Sequence, residues 1–334
     1  MWWRPRLHVL EHLSPAWFVP AMGWTGLGLS WARAIQGLGE PAHLVALACA
    51  SLASLMLVGV GLGMALRWRV HPGAFCADAG HPVKHTFWSA LPIGMVLLAA
   101  LWISLTHVTH AAMTLWWGVG ALGELATTLW VIARWLRPMA SGGTPLSALT
   151  PVIFLPLVGN LLVPWAGVPL GHLAWSSVQL GLGLLLWPVG FSLLWVRLRR
   201  FGPLPVPMTP TWFILVVPPS AAALSLSLFD PPGDLLWTLW GIAAACLMWA
   251  LTQLKTIISL EFSLPHWGTS FPLAAFTSMS LMMAQRPEGA WLWAPAMGML
   301  AITSVVLWWL SRMTWRGLRD RKSTRLNSSH VALS

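Results

Sequence analysis

The sequence predicts an all-α polytopic membrane protein with ten transmembrane helices, and three observations carry that expectation. Of 334 residues, 57% are hydrophobic and only 8% charged, and mean hydropathy is +0.70. A soluble domain carries about 25% charged residues, so a water-soluble enzyme with a polar surface is excluded. Apolar runs near the spanning length of about 20 residues recur between clusters of Arg, His, Pro and Gly. The basic residues, finally, fall almost entirely in alternate connections, as orientation in a bilayer demands.

The runs cover residues 17–36, 42–66, 86–106, 111–136, 149–166, 172–196, 209–229, 234–256, 267–285 and 290–311. The fifth is short and holds Pro151, Pro156 and Pro164. With ten spans, one set of connections carries 14 Lys and Arg, among them Arg67, Lys84, Arg197 and Lys255, and the other only Arg33 and Arg286. The positive-inside tendency then places both termini in the cytoplasm, in a bacterial inner membrane. Residues 1–319 are expected to form one transport domain. The N-terminus lacks the pattern of a signal peptide, since the first apolar run is of spanning length and has no small-residue cleavage site. Asp320 to Ser334 resembles translated sequencing adapter and is set aside as non-native.

Composition narrows function further. The balance of 19 Lys+Arg against 9 Asp+Glu would suggest nucleic acid in a soluble chain, but no basic, aromatic-interleaved surface accompanies it. Cys49, Cys76 and Cys246 are well separated and offer neither a disulfide framework nor zinc spacing. No nucleophile triad, phosphate-cradling glycine loop or nucleotide motif occurs, so neither an enzyme nor a resident cofactor is expected.

A repeat lies in the prolines. The odd-numbered spans carry Pro20, Pro92, Pro156, Pro218 with Pro219, and Pro272, whereas most even spans lack an interior proline. Proline inside a helix removes a backbone bond and kinks it. In lipid such a break survives only where protein or a water-filled cavity shields it. The odd helices are therefore expected to form an inner set, lining a central pore, and the even ones to face lipid. No Asp, Glu, Lys or Arg occurs in the odd interiors. Their polar or small lining is expected from Thr25, Asn160, Ser220, Ser270, Gly23, Gly94 and Gly159, with Ser89 and Thr269 also available.

Four stretches in order then resemble one family. Leu13-Ser-Pro-Ala-Trp-Phe-Val-Pro-Ala-Met-Gly23 is similar to the first helix of the tellurite-resistance/dicarboxylate transporters, which include plant slow anion channels and fungal sulfite and malate exporters. Thr150-Pro-Val-Ile-Phe-Leu-Pro-Leu-Val-Gly-Asn160 is similar to its fifth helix. Pro203-Leu-Pro with Pro210-Thr-Trp-Phe-Ile-Leu-Val-Val-Pro-Pro219 resembles its sixth-to-seventh region. Phe262-Ser-Leu-Pro-His-Trp-Gly-Thr-Ser-Phe-Pro-Leu-Ala-Ala275 resembles its ninth, with Gly268-Thr269 departing from the usual pattern. The resemblance implies five helical hairpins in quasi-five-fold arrangement, a homotrimer with one pore per protomer, and passage of small anions or oxyanions. It also implies a gating phenylalanine, which maps onto Phe271 with Phe276 as the second choice.

Two other readings bear on particular residues. Proton-coupled carriage of a C4-dicarboxylate, or of a sulfite- or tellurite-related oxyanion, needs a titratable group within the membrane, and Glu124 in the fourth span is the candidate coupling carboxylate. A membrane metal or haem protein would draw on His71, Cys76, Asp78, His81 and His85, which share one connection; the glycines and prolines among them argue for a loose loop over a fixed ligand set, and no metal site is expected.

Overall fold

The computed structural model describes residues 10–319; Asp320 to Ser334 lies outside them. Helices and short 3-10 stretches make up its regular structure, with no strand among the described residues. The α-helices in chain order are α1 (Val19–Leu38), α2 (Glu40–Val70), α3 (Pro72–Gly80), α4 (Ala90–Thr106), α5 (Ala111–Leu136), α6 (Phe154–Val158), α7 (Pro164–Gly167), α8 (Leu173–Phe201), α9 (Val217–Leu226), α10 (Gly233–Leu251), α11 (Leu254–Ser259), α12 (Ser270–Ala284) and α13 (Trp293–Arg319). Seven helical stretches are long and apolar enough to cross a membrane: α2, α5, α8, α10, Lys84–Thr106, Val206–Phe229 and Pro287–Arg319. Three of the expected spans fall short. The first is diluted by Gly, Ser, Arg33 and Gln36, the fifth is a broken run at Pro151–Gly167, and α12 has 15 residues.

The odd segments pack on one another in a closed ring. Helix α1 contacts α4, the Lys84–Thr106 rod contacts α6 and α7, the Gly159–Leu162 turn contacts α9, α9 contacts α12, and α12 returns to α1. Each even helix lies behind a pair of them: α2 on α1 and α4, α5 on α4 and α6, α8 on α7 and α9, α10 on α9 and α12, α13 on α12 and α1. The result is five hairpins with five rods inside and five outside. Burial follows the same division. The apolar stretches of the two long inner rods are 72% buried, against 28–33% for the five outer helices. Leu55, Leu115, Leu185, Met248 and Val305, one on each outer helix, are 65–73% exposed, a surface suited to acyl chains, since lipid tails are as apolar as Leu.

The inner prolines occupy one recurring place in their rods. Each inner rod begins as a 3-10 stretch, namely Pro15–Phe18, Lys84–Ser89, Pro151–Ile153, Val206–Val216 and Leu264–Thr269, and continues as an α-helix. Pro20, Pro92, Pro156, Pro218 with Pro219, and Pro272 all occupy the second or third residue of the α-helix that follows. The backbone bonding pattern changes where a 3-10 stretch passes into an α-helix, so a missing N–H is accommodated there, and proline's fixed φ suits the α-helix start. The sequence pattern is the same for a kink and for a junction; the backbone shows a junction.

The fifth rod, broken into short pieces, survives because neighbours serve its free carbonyls. Thr128 donates to the Pro156 carbonyl at 2.5 Å, Trp117 Nε1 to the Val163 carbonyl at 3.0 Å, and Ser225 to the Leu161 carbonyl. Buried backbone acceptors must be paired, and in lipid only protein can supply the donors.

Candidate functional site

The ring encloses a cavity of about 360 Å³ to which every inner rod contributes. Its wall includes Val19 and Met22 from the first rod, Phe87 and Ile93 from the third, Val152, Phe154 and Gly159 from the fifth, Thr211 and Ile214 from the seventh and Trp267 and Phe271 from the ninth. No inner-rod wall residue lies beyond positions 22, 93, 162, 217 and 272, so the cavity runs along the 3-10 halves and stops near the proline junctions. Beyond that level Ala99, Ala221, Ala222, Ala274 and Ala275 are fully or almost fully buried, and small side chains let the α-helical halves pack closely.

The wall is apolar except at one end. Charged wall residues are Glu11 from the chain entering the first rod, Arg67 in the last turn of α2, Asp78 in α3 and Lys84 at the start of the third rod. Arg67, 2% exposed, pairs with Asp78 at 2.7 Å, and its Nη2 donates to the carbonyls of Glu11 and Ala74 at 3.0 Å. Lys84 holds the second Asp78 oxygen at 3.0 Å. Nearby, His81 Nδ1 accepts from the backbone N–H groups of Val83 and Lys84 at 3.1 and 3.2 Å. Burial, reinforced by the Lys84 charge and opposed by Asp78, holds this imidazole below its ordinary range, which suits the accepting, neutral form. With Asp78 committed to two cations and His81 to two amides, these residues do not form a ligand set; among the described residues no group of three His, Cys, Asp or Glu is placed to hold a metal.

The sequence-derived site residues separate into two groups. Phe271, Pro272 and Gly159 are on the cavity wall. Phe271 is 4% exposed, and its ring lies against the bare backbone of Gly26, where an added Cβ would stand 2.9 Å from Cδ2. Phe276 faces away, stacked on Trp240 of outer helix α10 with centroids 5.9 Å apart. Pro20, Pro92, Pro156, Pro218 and Pro219 are buried beside the wall, which Val19, Ile93, Leu155 and Val217 supply in their place. Thr25 and Ser270 turn their hydroxyls back onto the carbonyls of Ala21 and Trp267 at 2.8 and 2.7 Å. Gly23 packs on Ser270 and Gly94 on Leu57 of outer helix α2. Asn160 points outward to Thr128 at 2.8 Å, and the Ser220 hydroxyl is buried with no partner among the described residues. The wall is thus more apolar than the sequence led one to expect.

Glu124 is wholly buried although it belongs to an outer helix. Its Oε2 accepts from Thr127 at 3.4 Å, and Ser89 donates to Thr127 at 2.9 Å. Sequence reasoning missed Arg67, Asp78 and Lys84 as wall residues; the only signal was a carboxylate between two cations in one connection.

Two comparisons with known proteins place the chain in a family. A family model described as voltage-dependent anion channel matches residues 12–315. The chain belongs to this family. It is also 25% identical over 237 residues to the S-type anion channel SLAH2 of Arabidopsis thaliana, a match covering 70% of this chain and 45% of that protein. The matched stretch therefore spans under half the length of that relative.

Proposed function

We propose that the chain passes small anions through the central cavity, with Phe271 closing its inner end. The observation that carries this reading is the distribution of charge. Every charged wall residue sits at the mouth, and from there to Phe271 the bore is neutral and largely apolar. Conduction requires binding weak enough for release, and a lysine or arginine fixed inside would trap the ion. Cations are disfavoured at entry by the basic residues concentrated on that side of the chain. In this reading all ten rods cross the bilayer, the three short ones being shielded by the outer helices. Both termini are cytoplasmic, residues 1–319 act as one transport domain in a bacterial inner membrane, and three protomers assemble with a pore in each. The Arabidopsis relative, an S-type anion channel, supports an anion as cargo; chloride, nitrate, sulfite and C4-dicarboxylates all fit the chemistry of such a bore.

The test is chloride and nitrate flux from proteoliposomes carrying the wild type or Phe271→Ala. Faster flux in the variant is expected. Equal rates remove Phe271 as the gate, and absence of any anion flux from the wild type removes the function.

A further inference from the structure

We infer that Glu124 is a proton-binding site coupled to the anion in the cavity, so that the two ligands favour each other's binding. This rests on the anion-conduit reading above and adds a second ligand to it.

The placement of the carboxyl is the ground. Its Oε1 has no hydrogen-bond partner, and no ion pair involves Glu124 among the described residues. That oxygen lies against Gly159, where any Cβ would overlap it, with the Ile93 side chain on the same spot. Gly159 and Ile93 are both cavity wall. An unpaired, fully buried oxygen therefore stands directly behind the wall, and only glycine lets it approach so closely. Around it are hydroxyls and an amide: Ser89, Thr127, Thr128 and Asn160, whose Oδ1 is also without a partner. Of these, Thr127 bonds the carboxyl, and none supplies a charge to offset the ionised form.

Other titratable groups are remote or differently engaged. On the third rod, Lys84 pairs with Asp78, and His85 is held through Nδ1 by the His81 carbonyl at 2.9 Å. The fifth rod contributes no titratable side chain, and α8 meets this region through Gln179, which donates to the Ala121 carbonyl at 3.0 Å. On α5 itself Arg134 is ten residues away and bonded to the Ala79 and Gly80 carbonyls. A charge on Glu124 would thus be felt by a cavity anion with little local compensation. At a separation of about 10 Å and an effective dielectric near 20, that repulsion changes anion occupancy roughly twentyfold. Coupling of binding is reciprocal: the proton that neutralises the carboxylate raises anion affinity, and the anion raises proton affinity equally.

The experiment measures chloride flux from proteoliposomes between pH 4 and 9 for the wild type, Glu124→Gln and His85→Gln. The inference expects wild-type flux to rise severalfold on acidification, His85→Gln to keep that profile, and Glu124→Gln to lose it while still conducting. A Glu124→Gln profile that follows the wild type, or a profile abolished by His85→Gln instead, overturns the assignment. Should Glu124→Gln fail to fold, the solubilised wild type decides: chloride added in weak buffer must draw protons onto the protein, and no uptake refutes the coupling. A wild type that carries no chloride at any pH defeats the conduit itself, an outcome distinct from pH-independent conduction.

Discussion

Gly26 is where the packing around Phe271 can be tested most sharply. A methyl added there would stand 2.9 Å from Cδ2 and 3.3 Å from Cε2 of Phe271, and 3.0 Å from Cβ of Ala274. Carbon pairs settle at about 3.5–4.0 Å, so the ring must retreat by roughly 0.6 Å or more. Ala274 is fully buried and belongs to the same helix, whereas the ring borders a cavity of about 360 Å³. The ring therefore yields into the cavity. Over-packing of this kind costs about 1–3 kcal/mol, and the bore narrows. Gly26→Ala is expected to melt earlier in detergent and to pass chloride more slowly, opposite in sign to the faster flux of Phe271→Ala. In the Phe271→Ala background the added methyl meets only Ala274, so its cost should fall by about 1 kcal/mol, within the range of coupling between touching residues. The double variant should conduct like Phe271→Ala alone. Strictly additive stabilities, or unchanged flux in Gly26→Ala, would refute the idea that this glycine sets the position of the ring.

Two further outcomes concern the mouth. Arg67→Met leaves Asp78, whose side chain is 6% exposed, with Lys84 as its remaining partner; breaking a buried pair this way costs about 3–5 kcal/mol. Adding Asp78→Asn should recover part of the loss of thermal stability, and no recovery would count against the pair. For His81 the folded chain disfavours protonation relative to the ordinary value of 6.5, so its contribution is complete above that pH and is lost as pH falls below it. Between pH 7.5 and 5.5 the wild type should therefore lose more melting temperature than His81→Asn, whose side-chain oxygen accepts the same two amides at any pH; parallel losses would remove His81 from the account.

Much of the architecture is visible in the chain before folding, for reasons that are local. Odd segments with prolines and charges only toward their ends differ in composition from the even segments because one set is sheltered by protein and the other keeps an exposed apolar face. What composition cannot distinguish is a proline in a kink from a proline opening an α-helix after a 3-10 stretch, since the residue is tolerated in both; Pro92 and Pro272 look alike under either geometry. Hydroxyls were equally deceptive. Thr25 and Ser270 lie in the right helices, yet each satisfies itself on its own backbone, so the wall falls to Met22, Ile93, Ile214 and Phe271. The mouth depends on Asp78 meeting both Arg67 and Lys84, a pairing fixed by tertiary placement. Glu124 was legible as unusual, but the inward aim of an outer-helix side chain needed the fold.

The central claim is that anions travel inside the ring. Thr211, on the cavity wall, provides the direct measurement when replaced by cysteine in a Cys76→Ser background, since Cys76 is the exposed native thiol. Chloride flux is recorded before and after a bulky, charged thiol reagent, with labelling stoichiometry confirmed. Loss of most of the flux on complete labelling is the expected result; undiminished flux through fully labelled protein would place the route elsewhere.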